Sequence, residues 1–411
     1  MIASGYQKNP WWAAVLIAAY PMLLPFSRTA EVPLSLLAIT GMVLLWRHGR
    51  AIKHWPTSRA LLLVFLCMWL PMVVSSIDAF NPSGSWYHSL VSLRFFFAAL
   101  AMAWLSRFSV VRERAMLLIS LVLGFWVVDS LIQFIFGVDL LGFPNTADRL
   151  NGPFGMRHFR LGMILAVFSP ILFEQVRRSW GGYGLLLVIP LTVFVVILSG
   201  VRSGWVIIAL AVPVFLFWAA RRNNWPLLRI NAISIVGAIL LLSLAWVSSP
   251  LVQERIELSM GLGSGDMQTT DYALSNRIPI WETSLRIFKA YPLLGVGIDS
   301  YREAYVVYAA ADDPHVATNG IGGYHAHNLI LEVLSVTGLL GLLGLILASR
   351  IMYRLWQQAD AASRQSMLPF ALALVLLMLP FNSHFSHYGT FLSSVSWWLL
   401  GLWMGAFRRR E

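Results

Sequence analysis

The chain has 411 residues, 58% of them hydrophobic and only 12% charged, with a mean hydropathy of +0.69. Soluble domains run at about 45–50% apolar, so this composition excludes a soluble globular protein and asks for lipid as the solvent. One cysteine, Cys67, excludes a disulfide framework or a thiolate metal centre. The formal charge of +11 is compatible with nucleic acid, but the placement of the basic residues accounts for it differently, and no nucleic-acid partner is expected.

In chain order, the hydropathy pattern predicts an all-α polytopic membrane protein of about twelve transmembrane helices. They fall at about 11–26, 32–46, 60–76, 86–106, 115–136, 160–174, 184–199, 204–220, 230–248, 328–349, 366–381 and 389–407. Helices are expected because lipid offers backbone polar groups no partners. Several segments are shorter than the ~20 residues a bilayer needs, so their ends must extend into the flanks. Lys8 precedes the first run, which continues past signal-peptide length without a cleavage-site pattern, and that segment is expected to remain as a helix. Arg94 and Asp129 lie at equal depth on adjacent predicted helices and invite an ion pair.

A long loop, about 249–327, separates the ninth and tenth helices. The chain therefore reads as residues 1–248 with helices one to nine, a loop domain at 249–327, and residues 328–411 with helices ten to twelve. The loop is expected to be partly helical. Ser275 or Asn276 can cap a helix whose apolar face is Ile278, Trp281, Leu285 and Phe288, with Pro292 ending it and Gly295-Val296-Gly297 turning the chain. Such a helix can lie flat on a leaflet.

Basic residues set the orientation. With the N-terminus inside, nineteen Lys and Arg fall in inside segments, against five in short outside loops. Both termini are then cytoplasmic and the long loop is outside, along with Arg255 and Arg277.

The five exceptions carry the first chemical signal. Arg149, Arg157 and Arg160 share one outside loop, Arg202 sits in the Gly-rich turn Ser199–Trp205, and Arg28 stands alone; Arg277 opens the loop helix. Guanidinium forks match phosphate oxygens, so Arg202 and Arg277, with Arg149, Arg157 and Arg160, are read as a cradle for a phosphate or diphosphate. The alternative is contact with lipid headgroups or scattered acids.

The second signal is histidine. Seven of nine histidines lie outside or at the outer edge: His88, His158, His315, His325, His327, His384 and His387. His327 stands where the long loop re-enters the membrane, and imidazole is the usual general base near neutral pH; the alternative is an interfacial or capping role. His325 and His327 with His384 and His387 are too incomplete a set for zinc, and no D-x-D pair is present to hold a metal–diphosphate. No metal and no cofactor are expected.

Four segments resemble the bacterial O-antigen ligase and polymerase superfamily. They are Asn151-Gly-Pro-Phe154 with Gly162; Ser199-Gly-Val-Arg202-Ser-Gly-Trp205; Asn276-Arg277 with Trp281 and Pro292-Leu-Leu-Gly295-Val-Gly297; and His327-Asn328 followed, after nine residues, by Gly338-Leu-Leu-Gly341. The likeness spans about 150–345. It implies a glycosyltransferase-C-like membrane fold in a Gram-negative inner membrane, with a periplasmic site. It also implies transfer of O-antigen from undecaprenyl diphosphate to lipid A–core oligosaccharide in lipopolysaccharide biosynthesis. His327, Arg202 and Arg277 would be catalytic; Arg157, Arg160, Arg149, His325 and Asn328 would hold diphosphate or glycan. Where members often carry His-Pro-Asn, this chain reads Gly155-Met-Arg157-His158-Phe-Arg160, which leaves that loop's role open.

Two rivals stand beside this reading. The O-antigen polymerase shares fold and donor, and the His-Asn to G-x-x-G spacing favours the ligase. A twelve-helix secondary transporter would show two repeated halves, commonly joined by a long inside loop, whereas the long loop here is outside and off-centre.

Overall fold

The structure is a computed structural model that describes residues 11–145, 149–155, 160–263, 265–380 and 385–409. Its long elements are helices: α1 (Trp11–Leu23), α2 (Glu31–His54), α3 (Pro56–Ser75), α4 (Pro82–Val91), α5 (Leu93–Ser106), α6 (Ser109–Phe136), α7 (Leu161–Leu198), α8 (Arg202–Asn223) and α9 (Leu227–Ser248). They continue with α10 (Pro250–Met260), α11 (Met267–Ala273), α12 (Ile278–Ala290), α13 (Tyr301–Tyr308), α14 (Pro314–Asn319), α15 (Leu329–Gln358), α16 (Ala361–Leu377) and α17 (Thr390–Gly405).

Among the described residues every predicted apolar segment is mostly helical, but the span count differs from twelve. Among the described residues, seven helices are long and apolar enough to cross a membrane, or eight if a bent pair is one span. Two physical features account for much of the difference. The sixth and seventh predicted segments are one element, α7, interrupted at Gly181 (φ 64°, ψ −149°); unbroken it would run about 57 Å, roughly twice a bilayer's hydrocarbon core. The ninth segment is the bent pair: α9 and α10 turn by 115° at Ser249, whose hydroxyl accepts the N–H of Val252 while Pro250 opens α10. The helices α1 and α16 are apolar but shorter than a full span.

The chain folds as two compact units. The first comprises Met1–Pro33, Phe108–Gly261 and Leu368–Leu377; the second comprises Leu34–Arg107, Leu262–Met367 and Met378–Glu411. Each draws on more than one of the three stretches read from the sequence.

In the first unit α1 packs on α6, α6 on α7, and α7 on α8 and α9. Asp129, inside α6, is buried and its Oδ1 accepts the N–H of Leu140 at 2.9 Å. In the second unit α3 packs on α15, α5 on α17, and α12 on both α13 and α15. There a core of Ile280, Ile287, Val296, Ile298, Tyr301, Ala304, Tyr305 and Val336 ties the long-loop helices to the start of α15.

That core shows which side of α12 packs on the protein. Its buried positions are Ile280, Thr283, Ser284 and Ile287, one coherent stripe at helical spacing. Ile278, Trp281, Leu285 and Phe288, the apolar face read as able to lie on a leaflet, are not buried, and Leu285 is exposed. Apolar character runs round more than one face, and the tyrosines of α13 select the stripe that packs. The cap also differs: Ser275 and Asn276 both adopt left-handed backbone, and the N–H of Ile278 is accepted by Asp271 Oδ1 at 2.8 Å.

Candidate functional site

In the first unit, two of the motif segments are held against each other. Gln133 of α6 accepts the N–H groups of Asn151 (3.0 Å) and Gly152 (2.9 Å) through its Oε1, and Phe154 meets Trp126 edge-on at 5.0 Å. These contacts fix the loop that bears Arg149. The Leu150 N–H donates to Leu198 O at 3.3 Å, which lays the loop beside the Ser199–Trp205 turn. Trp205 Nε1 closes the turn on Ile197 O at 3.0 Å. The starts of α7 and α8 then touch backbone to backbone: a Cβ on Gly204 would stand 2.9 Å from Gly162 O.

This packing gathers guanidinium groups. Arg202 is the first residue of α8. A Cβ on Gly200 would stand 3.6 Å from Arg149 Nε, so the turn packs on that side chain. The bend at Ser249 returns the chain, and Val252 joins Leu150, Ile197 and Leu198 in one buried cluster. Arg255, one turn beyond Val252, comes close enough for its charge to act on both Arg149 and Arg202. Burial first, and then Arg255, push the Arg149 guanidinium below its ordinary value; an arginine stays charged nonetheless. Arg160, at the N-cap of α7, is likewise pushed down by burial. Arg157 lies outside the described residues.

In the second unit the other two motifs interlock. Backbone N–H groups of Val296 and Gly297 donate to Ser335 O and Val336 O at 3.0 Å each, and those of Leu339 and Leu340 donate back to Pro292 O (2.8 Å) and Leu293 O (3.1 Å). The exchange requires a break in α15 at Gly338 (φ 62°), where a Cβ would stand 2.4 Å from the backbone of Leu293. Glycine is the residue that accepts both the left-handed backbone and the contact.

The break orders the start of α15. Asn328 is its N-cap, Oδ1 accepting the N–H groups of Ile330 (3.0 Å) and Leu331 (3.2 Å); a residue expected to touch substrate thus has its carbonyl oxygen engaged as a cap. His327 precedes it with left-handed backbone (φ 50°). His325 and His327 both lie ahead of the helix, and their rings meet at a tilt with centroids 3.9 Å apart. Arg277 is the N-cap of α12, and the Asn276 carbonyl beside it is hydrogen-bonded to His315 Nε2 at 2.7 Å.

One further residue here, Glu332, escaped the sequence reading. Glu332 is buried one turn into α15, and its carboxylate accepts the Ser386 hydroxyl and the His387 N–H (3.1 Å). His387 is itself buried, and burial pushes its imidazole down to about 4, so it is neutral at physiological pH. Glu332 carried a usable signal, since an ionisable residue inside an apolar span is a site candidate by default. Arg255 carried none, because long loops are exempt from the charge rule.

A shared electrostatic feature joins the arginines. Arg160, Arg202 and Arg277 each stand at the N-terminus of a helix, and none of the three helices has an acid in its first turn. A helix start already carries about half a positive charge. Adding a guanidinium there is unfavourable for the helix alone and favourable for an anion. Among the described residues no three His, Cys, Asp or Glu side chains come together to hold a metal ion; His384 lies outside them.

No curated protein matches the chain. The family model described as O-antigen ligase matches residues 185–346, a segment containing Arg202, Arg255, Arg277, His325, His327, Asn328 and Gly338 but not the loop of Arg149. That match places an O-antigen ligase family domain in the chain and supports its membership of that superfamily.

Proposed function

We propose that the protein is an O-antigen ligase of a Gram-negative inner membrane, with both termini cytoplasmic and its chemistry on the periplasmic side. It transfers O-antigen from undecaprenyl diphosphate to lipid A–core oligosaccharide. The acceptor hydroxyl oxygen attacks the anomeric carbon as the bond to the diphosphate oxygen breaks, and direct displacement inverts that centre. His327 takes the hydroxyl proton as general base. Arg202 and Arg277 stabilise the departing diphosphate, with Arg149, Arg160 and Arg255 adding positive charge and His325 and Asn328 contacting glycan. The arginines neutralise the diphosphate charge that a metal would otherwise neutralise, so no metal is required. Arg157 belongs to the same reading by its place in the sequence.

The observation that carries this reading is the arginine at the start of each of three helices, Arg160, Arg202 and Arg277, without a first-turn acid. Each of these helix starts favours an anion. The spacing of His327-Asn328 from Gly338 and Gly341 favours the ligase over the polymerase.

The test is transfer by purified protein from lipid-linked glycan to lipid A–core in detergent, with EDTA. Transfer to lipid A–core is the expected result. Transfer only to a second lipid-linked glycan would make it a polymerase, and activity lost to EDTA and restored by a divalent ion would remove the arginine-only account. Orientation is checked in a Cys67→Ser background: a cysteine at Gly265 should react with an impermeant thiol reagent from the periplasmic side, and one at Gln357 should not.

A further inference from the structure

A second charged cluster stands at the other end of the first unit and takes no part in the proposed transfer. Arg202 and Arg222 bracket α8, about 30 Å apart along its axis at ~1.5 Å per residue. At the Arg222 end, the fully buried Glu174 of α7 receives three arginines. Arg177 gives two bonds, Nε at 2.7 Å and Nη2 at 3.0 Å; Arg178 Nε lies at 2.6 Å, and Arg222 Nη1 only at 3.5 Å. The Trp218 ring lies 5.7 Å from the Arg177 guanidinium and 5.4 Å from that of Arg222.

Three guanidiniums against one carboxylate leave two positive charges in excess. The Arg178 and Arg222 side chains are 32% and 31% exposed, and each spends one of its five N–H donors on Glu174. The surroundings mark a membrane boundary. Trp180 and Tyr183 are exposed beside the cluster, and exposed Leu186 and Leu187 follow one turn along α7; aromatic rings of this kind sit at headgroup level. Basic pockets of this form between helices hold lipid headgroups.

We infer that Glu174, Arg177, Arg178 and Arg222 form a binding site for the phosphate of an anionic phospholipid, with an acyl chain lying along Leu186 and Leu187. Glu174 orients the arginines; Arg178 and Arg222 contact the phosphate.

The test uses the purified full chain in neutral detergent, with binding read by native mass spectrometry and by the thermal unfolding midpoint. The probes are phosphatidylglycerol, phosphatidylcholine and inorganic phosphate. Phosphatidylglycerol is expected to bind and raise the midpoint above the other two. Arg178→Gln with Arg222→Gln keeps the two-bond Arg177–Glu174 pair and should weaken phosphatidylglycerol about 25-fold, at roughly five-fold per arginine. Should that variant not fold, Arg222→Gln alone removes the longest contact to Glu174 and should weaken it about five-fold. Equal effects of phosphatidylglycerol and phosphatidylcholine on the wild type, or unchanged affinity in the variants, would overturn the site. Inorganic phosphate acting as well as the lipid would overturn the lipid assignment.

Discussion

The two units solve one packing problem in different ways. Each brings two motif segments together at glycines, and each places chemistry-bearing side chains beside the junction. In the first unit the junction is a close approach of two helix starts, Gly162 against Gly204, steadied by one side chain, Gln133. In the second it is an exchange of backbone hydrogen bonds between 292–297 and 335–340, possible only because α15 breaks at Gly338. The first junction presents cations and the second presents histidines beside a buried glutamate. The motif glycines in both therefore act as spacers, and the residues proposed to meet substrate are those the spacing positions.

The largest expected effect tests the histidine side. His327→Ala should lower transfer by about 10²–10⁴-fold, the contribution of a general base, in protein that still inserts. His325→Ala should cost less but not nothing, because its ring packs at a tilt against that of His327. A few-fold effect at His327, or a larger one at His325, would move the base.

The junctions themselves come next. Gly338→Ala forces a side chain into left-handed backbone, costing about 1–2 kcal/mol, and against the Leu293 backbone, a clash of roughly 1–3 kcal/mol more. Gly204→Ala meets only the second kind of penalty. Thermal unfolding should show Gly338→Ala as the more damaging; the reverse order would mean that the backbone exchange is not what holds the second unit's motifs.

On the arginine side, Arg202→Lys and Arg277→Lys keep the charge but lose the planar fork, and transfer should fall about ten-fold or more in each. Arg255→Gln removes a neighbouring charge rather than a helix-start arginine, so a several-fold rise in KM is expected with a smaller change in kcat. Near-normal activity in both lysine variants would make those arginines headgroup contacts.

The smallest effect at neutral pH concerns His387. Its folded value of about 4 lies below the ordinary 6.5, so the unfolded chain binds the proton first. Stability tied to this residue is full above about 6.5 and is lost as pH falls towards 4, by at most about 3 kcal/mol. His387→Phe should flatten that acid window in a thermal melt. An unchanged slope would show that the imidazole is not held neutral. The described part of the first unit contains no histidine, so this dependence belongs to the second unit.

Much of this protein was legible in the chain alone. Helical secondary structure follows from apolar runs whose backbone groups must be satisfied without water, and among the described residues the segments read from hydropathy are mostly helical. Arg202 of the Ser199–Trp205 turn stood out because a cation in a short outside loop breaks a charge bias, and Arg277 because it opens the loop helix. The superfamily was legible from four short motifs.

Tertiary structure decided the rest. The number of spans depended on breaks at Gly181 and Ser249, which hydropathy does not register because both sit within or beside apolar sequence. The packed face of α12 was chosen by Tyr301 and Tyr305, partners well separated from it in the chain. The cap on Ile278 came from Asp271 rather than the adjacent Ser275 or Asn276, since left-handed backbone at those two turns them away from the cap position. Arg255 joins Arg149 and Arg202 only after α10 folds back, and Glu332 gains its purpose only when Ser386 and His387 reach it. Local physics dictates which residues form helices; contacts between residues far apart in the chain dictate which charged groups share one place.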